Sequence, residues 1–250
     1  MKGSVVCFAG LFLFVAGCLL PVVALADNCM ECHHKQGVKA KELSAGPIRT
    51  IVDGKERTIT LDRVFKYHGD RCPGAIIAYR ATQYGIEILF PGEIPERDDL
   101  LIVSRTPAGG VRDFIDFFMK GDNPLQKTPV PVGMEKAREG FAFTITRKST
   151  CETVEVQLNQ ALFPEDFFSL KKKVQEKTIT PDQWKRFHGH MKNMVLGFSG
   201  KPATEMFGKP RPYKIMTWGT IGPGEQDRNV QKMRQKEKML QSSQKKAPRE

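Results

Sequence analysis

The chain's 250 residues carry 39 Lys and Arg against 28 Asp and Glu, a formal net charge of +11; much of the excess lies in Lys171-Lys172-Lys173 and the final stretch NVQKMRQKEKMLQSSQKKAPRE. Six cysteines, two of them in the apolar N-terminal stretch, are too few for a disulfide framework, so the core is expected to form by packing. No Ser-His-Asp arrangement, phosphate loop or dinucleotide fingerprint is present, which gives no support to the common hydrolases and dehydrogenases.

Met1-Lys2 supplies a positive start, Val5 to Leu20 is almost wholly apolar, and Ala24-Leu25-Ala26 offers the small residues of a cleavage site. Residues 1–26 thus read as a secretory signal peptide, and the mature chain is expected in the periplasm. Left uncut, a run of roughly 20 residues would span a bilayer. Val15-Ala16-Gly17-Cys18 also resembles a lipobox, although Leu19-Leu20 follow where a polar residue is usual. Membrane contact, and with it a membrane-anchored protein facing the periplasm, is expected only if the signal is retained or Cys18 is lipidated.

Residues 27–57 open with Cys29-Met30-Glu31-Cys32-His33, which fits C-x-x-C-H. Two thiols at this spacing add to the vinyl groups of one haem, and the next histidine lies under the iron as its proximal ligand. Such attachment follows export, so signal and motif support each other; one motif means one haem c. The alternatives are a redox dithiol, half of a zinc site or a plain disulfide. A thioredoxin-like dithiol needs a preceding strand that the mature chain lacks room for, and His34 with the distant histidines only partly completes a zinc site. The stretch CMECHHKQGVKAKEL resembles one binding segment of the multihaem c-type cytochromes, which implies an attached electron carrier.

From Ser44 to Arg57, Gly46, Pro47 and Gly54 accompany alternating Ile48, Thr50 and Val52, the profile of a linker or short edge hairpin with a domain boundary near its end. Between Thr60 and Gly85 apolar residues recur at helical spacing around Cys72-Pro73-Gly74: a short helix, a turn that starts a second helix, and a stop at Gly85. Asp99 to Ser104 reads as a buried strand and Val111 to Met119 as a helix ending at Gly121. Gly140–Arg147 and Thr153–Leu158 alternate as strands around a Ser149-Thr150-Cys151 loop, and helices resume over Pro164–Gln175 and Thr180–Leu196. This order predicts an α+β domain. Residues 209–250 read as a basic, solvated tail that buries too little apolar surface to fold alone. An acidic partner or anionic lipid is the functional alternative for it; export argues against nucleic acid.

His68, Asp70 and Cys72 fall within five residues beside Gly69 and Pro73-Gly74, and imidazole, carboxylate and thiolate all ligate zinc or iron. Tyr67-His68-Gly69-Asp70-Arg71-Cys72-Pro73-Gly74, followed by Ala78-Tyr79-Arg80, resembles the motif of the FmdE-like family, named for a component of formylmethanofuran dehydrogenase. The likeness extends more weakly through DDLLIVSRTPAGGVRDFIDFFMKGDN, EGFAFTITRKSTCETVEVQL and FSGKPATEMFG, over residues 58–208. It implies an α+β (FmdE-like) fold with a mixed four-stranded sheet, a homodimer in many members, and zinc or another transition metal held at His68 and Cys72. Asp70 stands where the family has a second histidine, Gly110 and Asp122 stand where it commonly has cysteines, and the appended zinc ribbon of some members is missing.

Phe187-His188-Gly189-His190 offers two imidazoles as the haem's distal ligand or as metal ligands, with Met191 and Met194 as softer alternatives. The competing reading is a pair of surface histidines. The function expected is electron transfer between one haem c and a periplasmic redox partner. The alternatives are a metal- or small-ligand-binding sensor module, or a metalloenzyme using His68, Asp70 and Cys72 with Asp70 or Tyr67 as acid or base.

Overall fold

The computed structural model describes residues 43–106, 108–121 and 140–216, with residues 232, 235, 236 and 239 of the tail. The signal peptide, Cys18, the haem motif at Cys29, Cys32 and His33, and Asp122 lie outside the described residues, as does most of the tail.

Two strands, β1 (Ile48–Val52) and β2 (Lys55–Ile59), form an antiparallel hairpin. Its turn is Asp53-Gly54, with φ of 52° and 72°, the left-handed pair that lets a two-residue turn follow the strand twist. Ile48 and Ile59 face each other at the open end and both enter the core. Thr60 caps α1 (Leu61–His68), its hydroxyl accepting from the Arg63 amide. Gly69, at φ 96°, ends that helix because a left-handed residue there costs glycine nothing sterically.

Pro73 occupies the first turn of α2 (Pro73–Leu89), where its missing N–H breaks no helical bond. Ala75 through Tyr79 are fully buried in succession, so that stretch of α2 is apolar all round, and the helix is the centre of the domain, with polar Arg80, Gln83 and Glu87 coming only after it. It packs against α1, against α3 (Gly109–Lys120), α5 (Pro181–Gly200) and α6 (Ala203–Phe207), and against the sheet strands β4 (Ala142–Arg147) and β5 (Glu152–Gln157). Gly85 does not stop the helix. A Cβ there would lie 2.3 Å from Ile145 Cδ1 and 3.3 Å from Ile145 Cβ, so glycine serves the close approach of α2 to β4 while Ile86 and Leu89 continue the buried surface.

The main sheet runs β3 (Leu100–Ser104), β4, β5, β6 (Tyr213–Lys214). The α+β class and the four strands agree with expectation, but every neighbouring pair is antiparallel, where the family resemblance implied a mixed sheet. Phe143 pairs with Val156 and Ile145 with Val154, and all four are buried, as alternating strands with one covered face require. The short β6 carries the fold past residue 208. On the other flank α4 (Phe167–Gln175) packs against α5 through stacked Phe167 and Phe187. The start of α5 is fixed by a capping box between Thr180 and Gln183.

The hairpin belongs to this domain. The Tyr79 hydroxyl, on α2, reaches the carbonyls of Gly46 at 2.7 Å and Ile59 at 3.0 Å, tying down residues that read in sequence as a linker or a short edge hairpin; the hairpin is what forms. No helix among the described residues is long and apolar enough to cross a membrane.

Candidate functional site

α1 ends on Tyr67 and His68, both buried and both directed at α3. The Tyr67 hydroxyl donates to Asp116 Oδ2 at 2.5 Å, and Lys120 Nζ lies 2.5 Å from Asp116 Oδ1. One helical turn earlier, Asp113 Oδ2 accepts from His68 Nδ1 at 2.8 Å while its Oδ1 accepts from Arg112 Nε at 3.1 Å. The two carboxylates, spaced i and i+3, thus meet consecutive residues of the facing helix, and each is held by a cation.

Gly69 then turns the chain so that Cys72 becomes the N-cap of α2, with no hydrogen bond from its side chain to the helix. Cys72 is buried, 6% exposed as a residue, and its side chain couples electrostatically to the His68 ring. Gly110 makes room beside the sulfur: a Cβ there would lie 2.8 Å from Cys72 Sγ and 2.7 Å from the Ala75 amide nitrogen, whereas one on Gly74 would make ordinary contact with the sulfur at 3.6 Å. The first turns of α2 and α3 therefore meet at Cys72, and both present the positive ends of their dipoles to it.

This setting decides the protonation of His68. Burial alone pushes an imidazole toward neutrality, but the hydrogen bonds to Asp113 and Cys72 and their charges outweigh it, raising the pKa from 6.5 to about 10. Tyr67 is pushed well above its ordinary range, by burial first and then by its bond to the Asp116 carboxylate. At neutral pH the site therefore holds a protonated imidazole between a carboxylate and a sulfur.

Of the three metal ligands expected from sequence, the structure brings His68 and Cys72 together. Asp70 is buried, but its Oδ1 accepts from the Arg71 amide at 2.6 Å, closing its own turn. The carboxylate on His68 is Asp113. A zinc or iron site takes about four donors; among the described residues no group of three His, Cys, Asp or Glu side chains is placed to hold a metal ion. Asp113 and Asp116 do not stand out in the sequence; their signal is two acids at i and i+3 among Val111, Phe114 and Phe117 in GGVRDFIDFFMK.

His188 and His190 both lie on α5 and are both half-buried. His190 Nε2 is 2.8 Å from Asp166 Oδ1, and Arg186 reaches Asp166 Oδ2 at 2.8 Å. The His188 ring sits 4.4 Å from Trp184. Met191 and Met194 face the core at 4% exposure each, so as haem ligands they would have to leave it. No protein-family model, curated protein or solved structure matches this chain.

Proposed function

We propose that the chain is an exported single-haem electron-transfer protein, in which Cys29 and Cys32 hold one haem c covalently and His33 is its proximal ligand. A haem so held supplies a one-electron couple. The observation that carries this reading is the motif itself, C-x-x-C-H just after a cleavable signal, in a chain without any other closely spaced cysteine pair. The α+β domain is then the body to which the carrier is attached and the surface that a periplasmic redox partner meets.

Leu43 and Ala45 pack on the core and a Cβ on Gly200 would lie 2.8 Å from Ser44 Oγ, so the domain holds the chain from residue 43 at the latest. Ten peptide steps separate His33 from Leu43, and an extended chain of that length reaches at most about 36 Å. The carrier is therefore tethered within reach of the domain.

Expression with a haem-maturation system should give a red protein that keeps its haem stain after denaturation, with Cys29→Ala and Cys32→Ala each reducing covalent haem. A colourless product from the unsubstituted chain, made where a control cytochrome matures normally, sinks the reading.

A further inference from the structure

Every other phenylalanine among the described residues is buried or half-buried, but Phe168, in the first turn of α4, is 50% exposed. Its ring lies 4.8 Å from that of Phe163 and 5.3 Å, edge-on, from that of Phe167, which in turn stacks on Phe187 of α5. An anchored ring is thus left with one side in water.

Helical spacing puts Lys171 and Lys172 on the same face as Phe168, at i+3 and i+4. Arg186 reaches the head of α4 through Asp166 Oδ2 at 2.8 Å. From residue 163 to residue 193 the chain carries seven Lys and Arg against four Asp and Glu. Two of those acids, Asp166 and Glu176, pair with cations at the surface: Lys172 sits 3.7 Å from Glu176 with 74% of its side chain exposed, and the side chain of Arg186 is 59% exposed. Screened pairs of this kind are weak, so their cations can exchange the carboxylate for another anion. The exposed Tyr213, by contrast, has its hydroxyl on Glu155, so its ring comes with negative charge.

We propose that this face of α4 is a peripheral membrane contact, in which Phe168 enters the interfacial region of a bilayer and Lys171, Lys172 and Arg186 meet the phosphates of anionic lipids. A ring already fixed by its neighbours leaves water at little cost in side-chain entropy, and basic side chains beside it find negative headgroups at the same depth. An acidic protein would attract the same charges, but a specific protein interface buries about 800 Å² on each partner around an apolar centre, and a single exposed ring supplies little of that. The contact needs neither a retained signal nor a lipidated Cys18.

The test mixes the full mature chain, carrying Trp218→Phe so that Trp184 is its one indole, with vesicles of phosphatidylcholine alone or in equal parts with phosphatidylglycerol. Cosedimentation and Trp184 emission are read. The mixed vesicles should bind the chain and shift the emission, the neutral ones should do neither, and binding should weaken as salt is raised. Lys171→Gln and Lys172→Gln should each weaken binding about fivefold, the loss of one basic contact. Phe168→Ala should weaken it at least about fivefold, and Phe168→Trp, which carries a side chain that interfaces favour, should tighten it on mixed vesicles without creating binding to neutral ones. A variant that failed to fold would expose its core and bind neutral vesicles as well, so the Phe168→Trp result stands even if Phe168→Ala unfolds. The Cys29→Ser/Cys32→Ser chain should bind as the unsubstituted one does, which separates this contact from the haem reading; loss of binding in that chain overturns the proposal. So does a failure to bind mixed vesicles at physiological salt, or binding indifferent to all Phe168 substitutions, which would assign the attraction to charge alone. Binding of soluble polyglutamate as tight as that of the vesicles overturns it too, by marking an acidic protein as the partner.

Discussion

Asp113 is 2% exposed and has both oxygens on cations, Arg112 and His68. Removing its charge leaves the imidazolium buried without its carboxylate, a change that in other buried pairs costs about 3–5 kcal/mol. The sign of the pH dependence follows from the direction of the shift. The folded pKa of His68, about 10, lies above its ordinary value of 6.5, so the pair's contribution is fully present below pH 6.5 and is lost as pH rises through about 10. Thermal unfolding should therefore show a midpoint that falls between these two pH values. Asp113→Asn should lower the midpoint at the acid end of the window and flatten its dependence across it; an unchanged slope in that variant would mean that another group titrates.

Among the elements, the glycines of α2 and α5 separate two roles that look alike in sequence. Gly85 meets Ile145 on the sheet, whereas a Cβ on Gly197 would meet nothing within 4 Å. Gly197→Ala should accordingly stabilise the domain by about 0.5–1 kcal/mol, the ordinary helix preference for alanine. Gly85→Ala should destabilise it by about 1–3 kcal/mol by prising α2 from β4, and chemical denaturation of the two variants should give shifts of opposite sign. The same contrast explains what the sequence shows of the fold. Ends marked by local chemistry are legible: Thr60 and Gly69 around α1, Gly121 after α3, the apolar run of β3. Gly85 reads as a stop because its reason is a residue 60 positions away, and the hairpin reads partly as linker because Tyr79 holds it by backbone carbonyls that leave no trace in side-chain pattern. Two of the site's residues, His68 and Cys72, stand out through their spacing; Asp113 does not, since it meets His68 across 45 positions and lies on a helix whose pattern is otherwise apolar.

For the whole molecule, on the proposed reading of a haem attached at Cys29 and Cys32, chain length and helix geometry set where that haem can find its sixth ligand. Ser44 lies beside Gly200 at the end of α5, and His190 is ten residues back along that helix, about 15 Å at the α-helical rise. The ten peptide steps from His33 to Leu43 reach at most about 36 Å, a length that spans the distance to both His188 and His190. Their surroundings differ. Coordination through His190 Nε2 has to displace Asp166, whereas His188 has to leave its ring contacts with Trp184 and Phe187. In the haem-loaded protein, alanine at the histidine that is the sixth ligand should convert a six-coordinate low-spin absorption spectrum to a high-spin one, while alanine at the other should leave it low-spin. Where His190 is that ligand, Asp166→Ala should favour low-spin haem by freeing it. If neither substitution moves the spectrum, the sixth ligand lies elsewhere and the haem does not dock on this face of α5.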